Sequence, residues 1–145
     1  MRLESVLAAS AVYEVWLAVD EHGRRVAFKL PKPEWAERAE ARASLEREAS
    51  VLAALAPHPH VVVSYGLSEH RGRRGLATEL LDGGDLVSLA GAPSRHWEAA
   101  FFGVVAALRH AHAAGWAHRD VKARNVLFGA DGRARLVDFG SAARL

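Results

Sequence analysis

Apolar and polar residues alternate with a period of two in three runs near the start of the chain, at 3–9, 12–19 and 24–30, and Asp20-Glu21-His22-Gly23 separates the last two with turn formers. That pattern predicts an antiparallel meander. From 34 to about 55 the period lengthens to that of a helix: Ala, Glu, Arg and Leu dominate, and Pro33 stands near the start, where its missing N–H costs nothing. Leu45, Leu52 and Leu55 fall on one stripe of this helix, and Glu48 falls among them, whereas Glu34, Glu37, Glu40 and Glu46 lie off it. Pro57 and Pro59 break the helix. Val61-Val62-Val63 then reads as a short buried strand and 76–80 as its returning partner, which makes a five-stranded antiparallel sheet. The basic cluster Arg71, Arg73 and Arg74 around Gly72 decorates a hairpin turn. A second helix is expected over about 95–114, opened by Pro93-Ser94 and closed by Gly115, with Trp97, Phe101, Val104, Val105, Leu108 and either Ala111 or His112 as its apolar stripe.

Toward the end, Val126-Leu127-Phe128 and the run 134–137 flank Asp131-Gly132, a strong hairpin signal. With Asp131 and Gly132 as the two loop residues, Ala130 opposes Arg133, Leu127 opposes Leu136, and Asn125 opposes Asp138. Directly opposed residues hold their Cβ atoms about 5 Å apart on one face, so an amide oxygen and a carboxylate are expected side by side above Leu127. Such a pair suits Mg²⁺, which takes oxygen ligands from one or two side chains together with substrate phosphates.

Three motifs occur in fixed order: Val26-Ala27-Phe28-Lys29, then His118-Arg119-Asp120-Val121 ending in Asn125, then Asp138-Phe139-Gly140. With them the sequence resembles the eukaryotic-type serine/threonine protein kinase family, whose patterns are V-A-I-K, H-R-D-L-x-x-x-N and D-F-G. The resemblance implies an α+β, protein-kinase-like fold. A small lobe of five antiparallel strands and one long helix would occupy 1–80 and a hinge 81–86. A truncated second lobe of one helix and a catalytic β-hairpin would occupy 87–145, the whole amounting to roughly the first half of the family's fold. It also implies ATP and Mg²⁺ as cofactors and phosphoryl transfer to a Ser or Thr hydroxyl of a protein substrate. Asp120 would orient or deprotonate that hydroxyl and Lys122 would neutralise the transferring group, while Asn125 and Asp138 would hold the metal ions. Lys29 would meet the α- and β-phosphates, paired with Glu48, whose place on a buried stripe demands a partner. Ala27, Thr78 and Leu127 would line the nucleotide pocket, backbone groups from Glu79 to Leu81 would bond the adenine, and Asp85 would reach the ribose.

The sequence departs from the family at the first hairpin. Where kinases carry G-x-G-x-x-G over the phosphates, the glycine slots hold Ala8, Ser10 and Tyr13. A flap that closes differently, with Ser10 or the Tyr13 hydroxyl as a donor, is the alternative. This departure keeps a second reading open, a pseudokinase-like binding or regulatory module with weak or no catalysis. A small-molecule kinase is a third, against which Arg119 and Lys122 follow the protein-kinase pattern.

Composition narrows the setting. The chain has 145 residues, half of them hydrophobic and a quarter charged, which predicts one domain with a real core. A net charge of only +2 calls for neither nucleic acid nor an anionic membrane as partner. The absence of cysteine fits a reducing compartment. The apolar run at 6–9 is too short for a secretory segment, and the longest, 99–108, falls well below the ~20 residues that span a bilayer, so a cytoplasmic protein is expected. His58 and His60 find no third metal ligand in the sequence. Finally, the wide apolar face of the second helix, together with Val126, Phe128 and Val137 of the hairpin, predicts that 97–145 enters an interface, as a homodimer or with a partner chain.

Overall fold

In the computed structural model, which describes residues 1–91 and 93–145, the three alternating runs form β1 (Arg2–Ala9), β2 (Tyr13–Val19) and β3 (Arg25–Pro31). With β4 (Ser64–His70) and β5 (Arg73–Glu79) they make one antiparallel sheet of order β1-β2-β3-β5-β4. Alternation sorts the side chains of β3. Val26, Phe28 and Leu30 pack with Ala18 and Ala77 into a small core, and Ala27 and Lys29 turn to the opposite face. The strand expected at 61–63 is not one. Val61 makes only an isolated bridge to Leu136, and the Val62 N–H donates to the Leu136 carbonyl at 3.2 Å, so these two valines pack on the hairpin, while Val63 is exposed and bonds Glu79 at the end of β5. The place of the expected strand is taken by Ser64–His70, an edge strand with alternate positions in solvent, which a search for apolar runs passes over.

Helix α1 (Ala39–Leu55) starts later than its composition suggests, because Pro33–Trp35 forms a separate 3₁₀ turn and Arg38 is extended. It buries Ala41, Leu45, Glu48, Val51, Leu52 and Leu55. Helix α2 (Ser94–Ala113) matches the expected span and ends at Gly115, whose φ of +80° suits glycine. Its buried face matches the expected stripe in part: Ala111 is buried and Val104 and Leu108 pack against the main core, but Trp97 and Phe101 do not. Ala100, Gly103, Ala107 and Ala111 face inward, while Trp97, Phe101 and Phe102 face out, the two phenylalanines 63% and 67% exposed. Close approach explains the choice: a Cβ on Gly103 would lie 2.7 Å from the His60 ring.

Beyond α2 lie β6 (Trp116–Ala117), paired with β9 (Ala143–Arg144), and the hairpin of β7 (Val126–Phe128) and β8 (Ala134–Leu136). The hairpin register is shifted by one from the expected one, pairing Val126 with Leu136, Leu127 with Arg135 and Phe128 with Ala134. The cause is the turn. Gly129 N–H donates to the Arg133 carbonyl at 3.1 Å and Gly132 has φ +72°, so Ala130-Asp131-Gly132 is a three-residue loop closed by a left-handed glycine. Asn125 therefore opposes Val137, whose N–H donates to the Asn125 carbonyl at 2.9 Å, and does not oppose Asp138. The same shift sends Val126, Ala134 and Leu136 into the main core with Phe128 packed against it, so this face of the hairpin is already covered. That core joins Leu45, Leu52 and Leu55 of α1 to Ala107 of α2, Leu136 and Phe139.

Candidate active site

Lys29 is delivered by β3, opposite Val15 on β2 and Leu76 on β5, on the sheet face that looks toward α1. Its Nζ lies 2.8 Å from Glu48 Oε2 and 2.7 Å from Asp138 Oδ1, so one ammonium bridges two carboxylates. The three side chains differ in exposure, 16% for Lys29, 4% for Glu48 and 40% for Asp138, which makes Asp138 the partner that water can replace. Burial works to lower the Lys29 pKa, but Glu48 and then Asp138 outweigh it and hold the ammonium above its ordinary value. Burial raises Glu48, with Lys29 pulling the other way and Asp138 reinforcing the rise.

The Asp138 segment is anchored on both sides. Phe139 is fully buried, and the Gly140 carbonyl accepts from Arg47 Nη1 at 3.0 Å and from Ser44 Oγ at 3.4 Å, both on α1. A Cβ on Gly140 would meet Ser44 Oγ at 2.9 Å, so a larger residue here would have to turn the Ser44 hydroxyl away. Asp138 itself sits at φ +61°, in the left-handed region.

The second cluster hangs from His118, which is buried with its ring edge-on to Phe139 at 4.5 Å. The Asp120 N–H donates to His118 Nδ1 at 3.2 Å, which leaves Nε2 as the protonated nitrogen that donates to the Val137 carbonyl at 2.9 Å. Both partners fit the neutral ring, and burial lowers its pKa. A 3₁₀ turn over Ala123–Asn125 then folds Asn125 back beneath Asp120. Asn125 Nδ2 donates to the Asp120 carbonyl at 2.8 Å and to Asp120 Oδ2 at 3.0 Å, and Lys122 Nζ lies 2.7 Å from the same Oδ2. The Lys122 hydrogen bond is the main reason that the Asp120 carboxyl is held below its ordinary range.

These contacts fix which atoms remain for a ligand. Asn125 Nδ2 is committed to Asp120, so the amide presents Oδ1; Asp138 Oδ1 is committed to Lys29, so that carboxylate presents Oδ2. One amide oxygen and one carboxylate oxygen form the hard donor set that Mg²⁺ prefers, so these residues fit the ion. His118 ties the clusters together, bonding Asp120 on one side and the carbonyl next to Asp138 on the other.

The residues expected around a nucleotide base fall along one strap. Ala27 pairs with Thr78 across β3 and β5. Gly83 N–H donates to the Phe128 carbonyl and Phe128 N–H to the Gly84 carbonyl, each at 2.9 Å, and Asp85 bridges Leu127, so residues 83–85 lie as an extra strand beside β7. Gly83 is required there, since a Cβ would come 2.8 Å from the Phe128 carbonyl oxygen. Leu81 has no backbone partner among the described residues. At Glu79 two groups already have partners. Its N–H is committed to the Val63 carbonyl at 2.9 Å, and its carboxylate accepts from Val63 N–H at 2.8 Å and pairs with Arg135 at 3.1 Å. Asp85 also caps the turn at Leu86–Leu89 by accepting from Ser88 N–H at 3.1 Å.

The flap does without glycine because none of its residues has positive φ. Ser10 Oγ accepts from Tyr13 N–H at 3.0 Å and Val12 N–H at 3.3 Å and so caps the turn itself. The Tyr13 hydroxyl donates to the Ala41 carbonyl of α1 at 2.9 Å, a contact signalled in sequence only by a tyrosine in a glycine slot.

Comparison with known proteins agrees with this geometry. The family model described as the protein kinase domain matches residues 8–145. Serine/threonine-protein kinase PknD of Mycobacterium tuberculosis is 36% identical over 147 aligned residues, covering 97% of this chain and 22% of that protein. PknA of the same organism is 36% identical over 151 aligned residues, covering 97% of this chain and 35% of that protein. CBL-interacting protein kinase 4 of Oryza sativa subsp. japonica is 47% identical over 92 residues, covering 59% of this chain and 20% of that protein. The chain thus spans between 20% and 35% of the length of these relatives.

Proposed function

The chain belongs to the protein kinase family, and from that premise we propose that it serves ATP- and Mg²⁺-dependent phosphoryl transfer to Ser or Thr hydroxyls of a protein substrate. The observation that carries this reading is the joining of two clusters, Lys29 with Glu48 and Asp138, and Asp120 with Lys122 and Asn125, through the buried His118. Phosphoryl transfer asks a protein mainly for position and charge neutralisation, and these side chains supply both. Asn125 Oδ1 and Asp138 would hold Mg²⁺, which would supply charge neutralisation to the phosphates of an ATP donor. Lys29 would turn from Asp138, the more exposed of its partners, toward phosphate oxygens and keep Glu48. Asp120, ionised well below neutral pH, accepts the hydrogen bond of the attacking hydroxyl and fixes its direction; the proton passes to that carboxylate as the new oxygen–phosphorus bond forms and the bridging one breaks. Lys122, on Asp120 Oδ2, would offset charge on the transferring group.

A second reading, a binding or regulatory module, draws on Tyr13, whose ring centre lies 4.9 Å from Lys29 Nζ in the slot where the family keeps glycine. Radiolabel transfer from ATP to a generic protein substrate separates the two. Transfer that Asp120→Asn lowers by about 10²–10⁴ supports the kinase; nucleotide binding without transfer supports the module. Among the described residues no helix is long and apolar enough to cross a membrane.

A further inference from the structure

Tyr13 opens β2 opposite Pro31, two residues before Val15, which pairs with Lys29. The period-two rule therefore puts the Tyr13 and Lys29 side chains on one sheet face, and the tyrosine ring lies over the ammonium. Its hydroxyl reaches past Lys29 to α1 and donates to the carbonyl of Ala41, a residue only 3% exposed in the helix's first turn. Ala41, Leu45, Glu48 and Leu52 recur at helical spacing on the buried side of α1, so Ala41 and Glu48 share a stripe, about 10 Å apart along the axis. The sheet thus grips α1 at two points of one stripe: Tyr13 holds Ala41, and Lys29 holds Glu48. The remaining polar holds on this side of α1, Ser44 and Arg47 on the Gly140 carbonyl, lie C-terminal to Ala41, and no side chain caps the start of the helix, so Tyr13 is what fixes its first turn to the sheet.

We infer that Tyr13 is a positioning residue, whose hydroxyl tethers the first hairpin to α1 so that Glu48 stays on Lys29, and whose ring shields that pair in place of a glycine-rich flap. The inference rests on the phosphoryl-transfer reading for its kinetic consequence only; the tether is a property of the unliganded chain. Tyr13→Phe removes one hydroxyl and keeps the ring, and Tyr13→Gly removes both.

The test has a catalytic and a non-catalytic arm, each run in the wild-type and Glu48→Gln backgrounds. In the non-catalytic arm an amine-acylating reagent is applied to the folded chain, and modification of Lys29 is followed by mass spectrometry against time. Tyr13→Phe should quicken that modification about fivefold, the equivalent of one lost hydrogen bond, and Tyr13→Gly more. In the Glu48→Gln background, where there is no ion pair to hold, Tyr13→Phe should add almost nothing. In the catalytic arm Tyr13→Phe should lower kcat by a similar factor, again with no further loss beside Glu48→Gln. Unchanged Lys29 reactivity in Tyr13→Phe, or an equal effect in both backgrounds, overturns the inference. Should no variant transfer phosphate at all, the transfer reading fails while the acylation arm still decides the tether; and should Tyr13→Gly fail to fold, Tyr13→Phe carries both arms.

Discussion

Removing the ammonium at position 29 should produce a stability loss that depends steeply on pH and is reversed by a second substitution. In Lys29→Met the buried Glu48 carboxylate, 4% exposed, loses its cation, whereas Asp138, 40% exposed, keeps water. An unpaired buried carboxylate takes up a proton rather than remain charged. The cost of that uptake bounds the loss: from the ordinary glutamate value of 4.5, neutralisation at pH 7 costs about 3.4 kcal/mol, and about 1.4 kcal/mol less for each pH unit lowered. This ceiling falls within the ~3–5 kcal/mol typical of breaking a buried pair from one side. Glu48→Gln should cost less, roughly 1.5–3 kcal/mol, because Lys29 retains Asp138 at 2.7 Å. The double substitution Lys29→Met with Glu48→Gln should recover most of the Lys29→Met loss, since no buried charge is then stranded. Urea unfolding at pH 7.0 and 5.5 reads all three. A Lys29→Met loss of equal size at the two pH values, or a double variant no more stable than Lys29→Met, would refute the reasoning.

Other outcomes follow from single contacts. Gly83→Ala should destabilise by about 1–3 kcal/mol, because its Cβ meets the Phe128 carbonyl, a backbone atom that cannot rotate away; a denaturant melt reads it. Gly103→Ala should also destabilise despite alanine's helix advantage of about 1 kcal/mol, since the methyl enters the His60 ring, and removing that ring with His60→Ala should turn the change neutral or favourable. Burial depresses the pKa of both His118 and His58, so the unfolded chain binds these protons first. Their contribution is therefore complete above pH 6.5 and lost as pH falls through the folded values; His118→Asn should flatten that part of a stability–pH profile.

What could be read from the sequence was what side-chain type alone determines. Alternation in β1 to β3 locates the sheet, and Glu48 stands out because a carboxylate among Leu45, Leu52 and Leu55 needs a cation. The failures have a common origin in backbone geometry. Asp131-Gly132 signals a two-residue turn, but Gly132 closes a three-residue loop, and that one residue moves Asn125 from opposite Asp138 to opposite Val137. A hydrophobicity pattern gives weight to Trp97 and Phe101 on α2, whereas the packed face is set by how near the backbone must come, which selects Ala100, Gly103 and Ala107 beside the expected Ala111. Nothing in the sequence marks Val63 and Arg135 as partners of the Glu79 carboxylate.

The turn between His118 and Asp120 places Arg119 at φ +69°, a conformation that disfavours every residue except glycine and, to a lesser degree, asparagine and aspartate. Its side chain is exposed and makes no hydrogen bond among the described residues, so no contact offsets a strain of roughly 1–2 kcal/mol. Stability alone would favour glycine at this position. A stabilising screen on this chain should therefore return Arg119→Gly, as a variant that folds more firmly while removing one of the three cations, with Arg47 and Arg144, that line a cavity of 580 Å³. At this residue, thermodynamic hardiness and the chemical character of the surface are opposed, and selecting for one erodes the other.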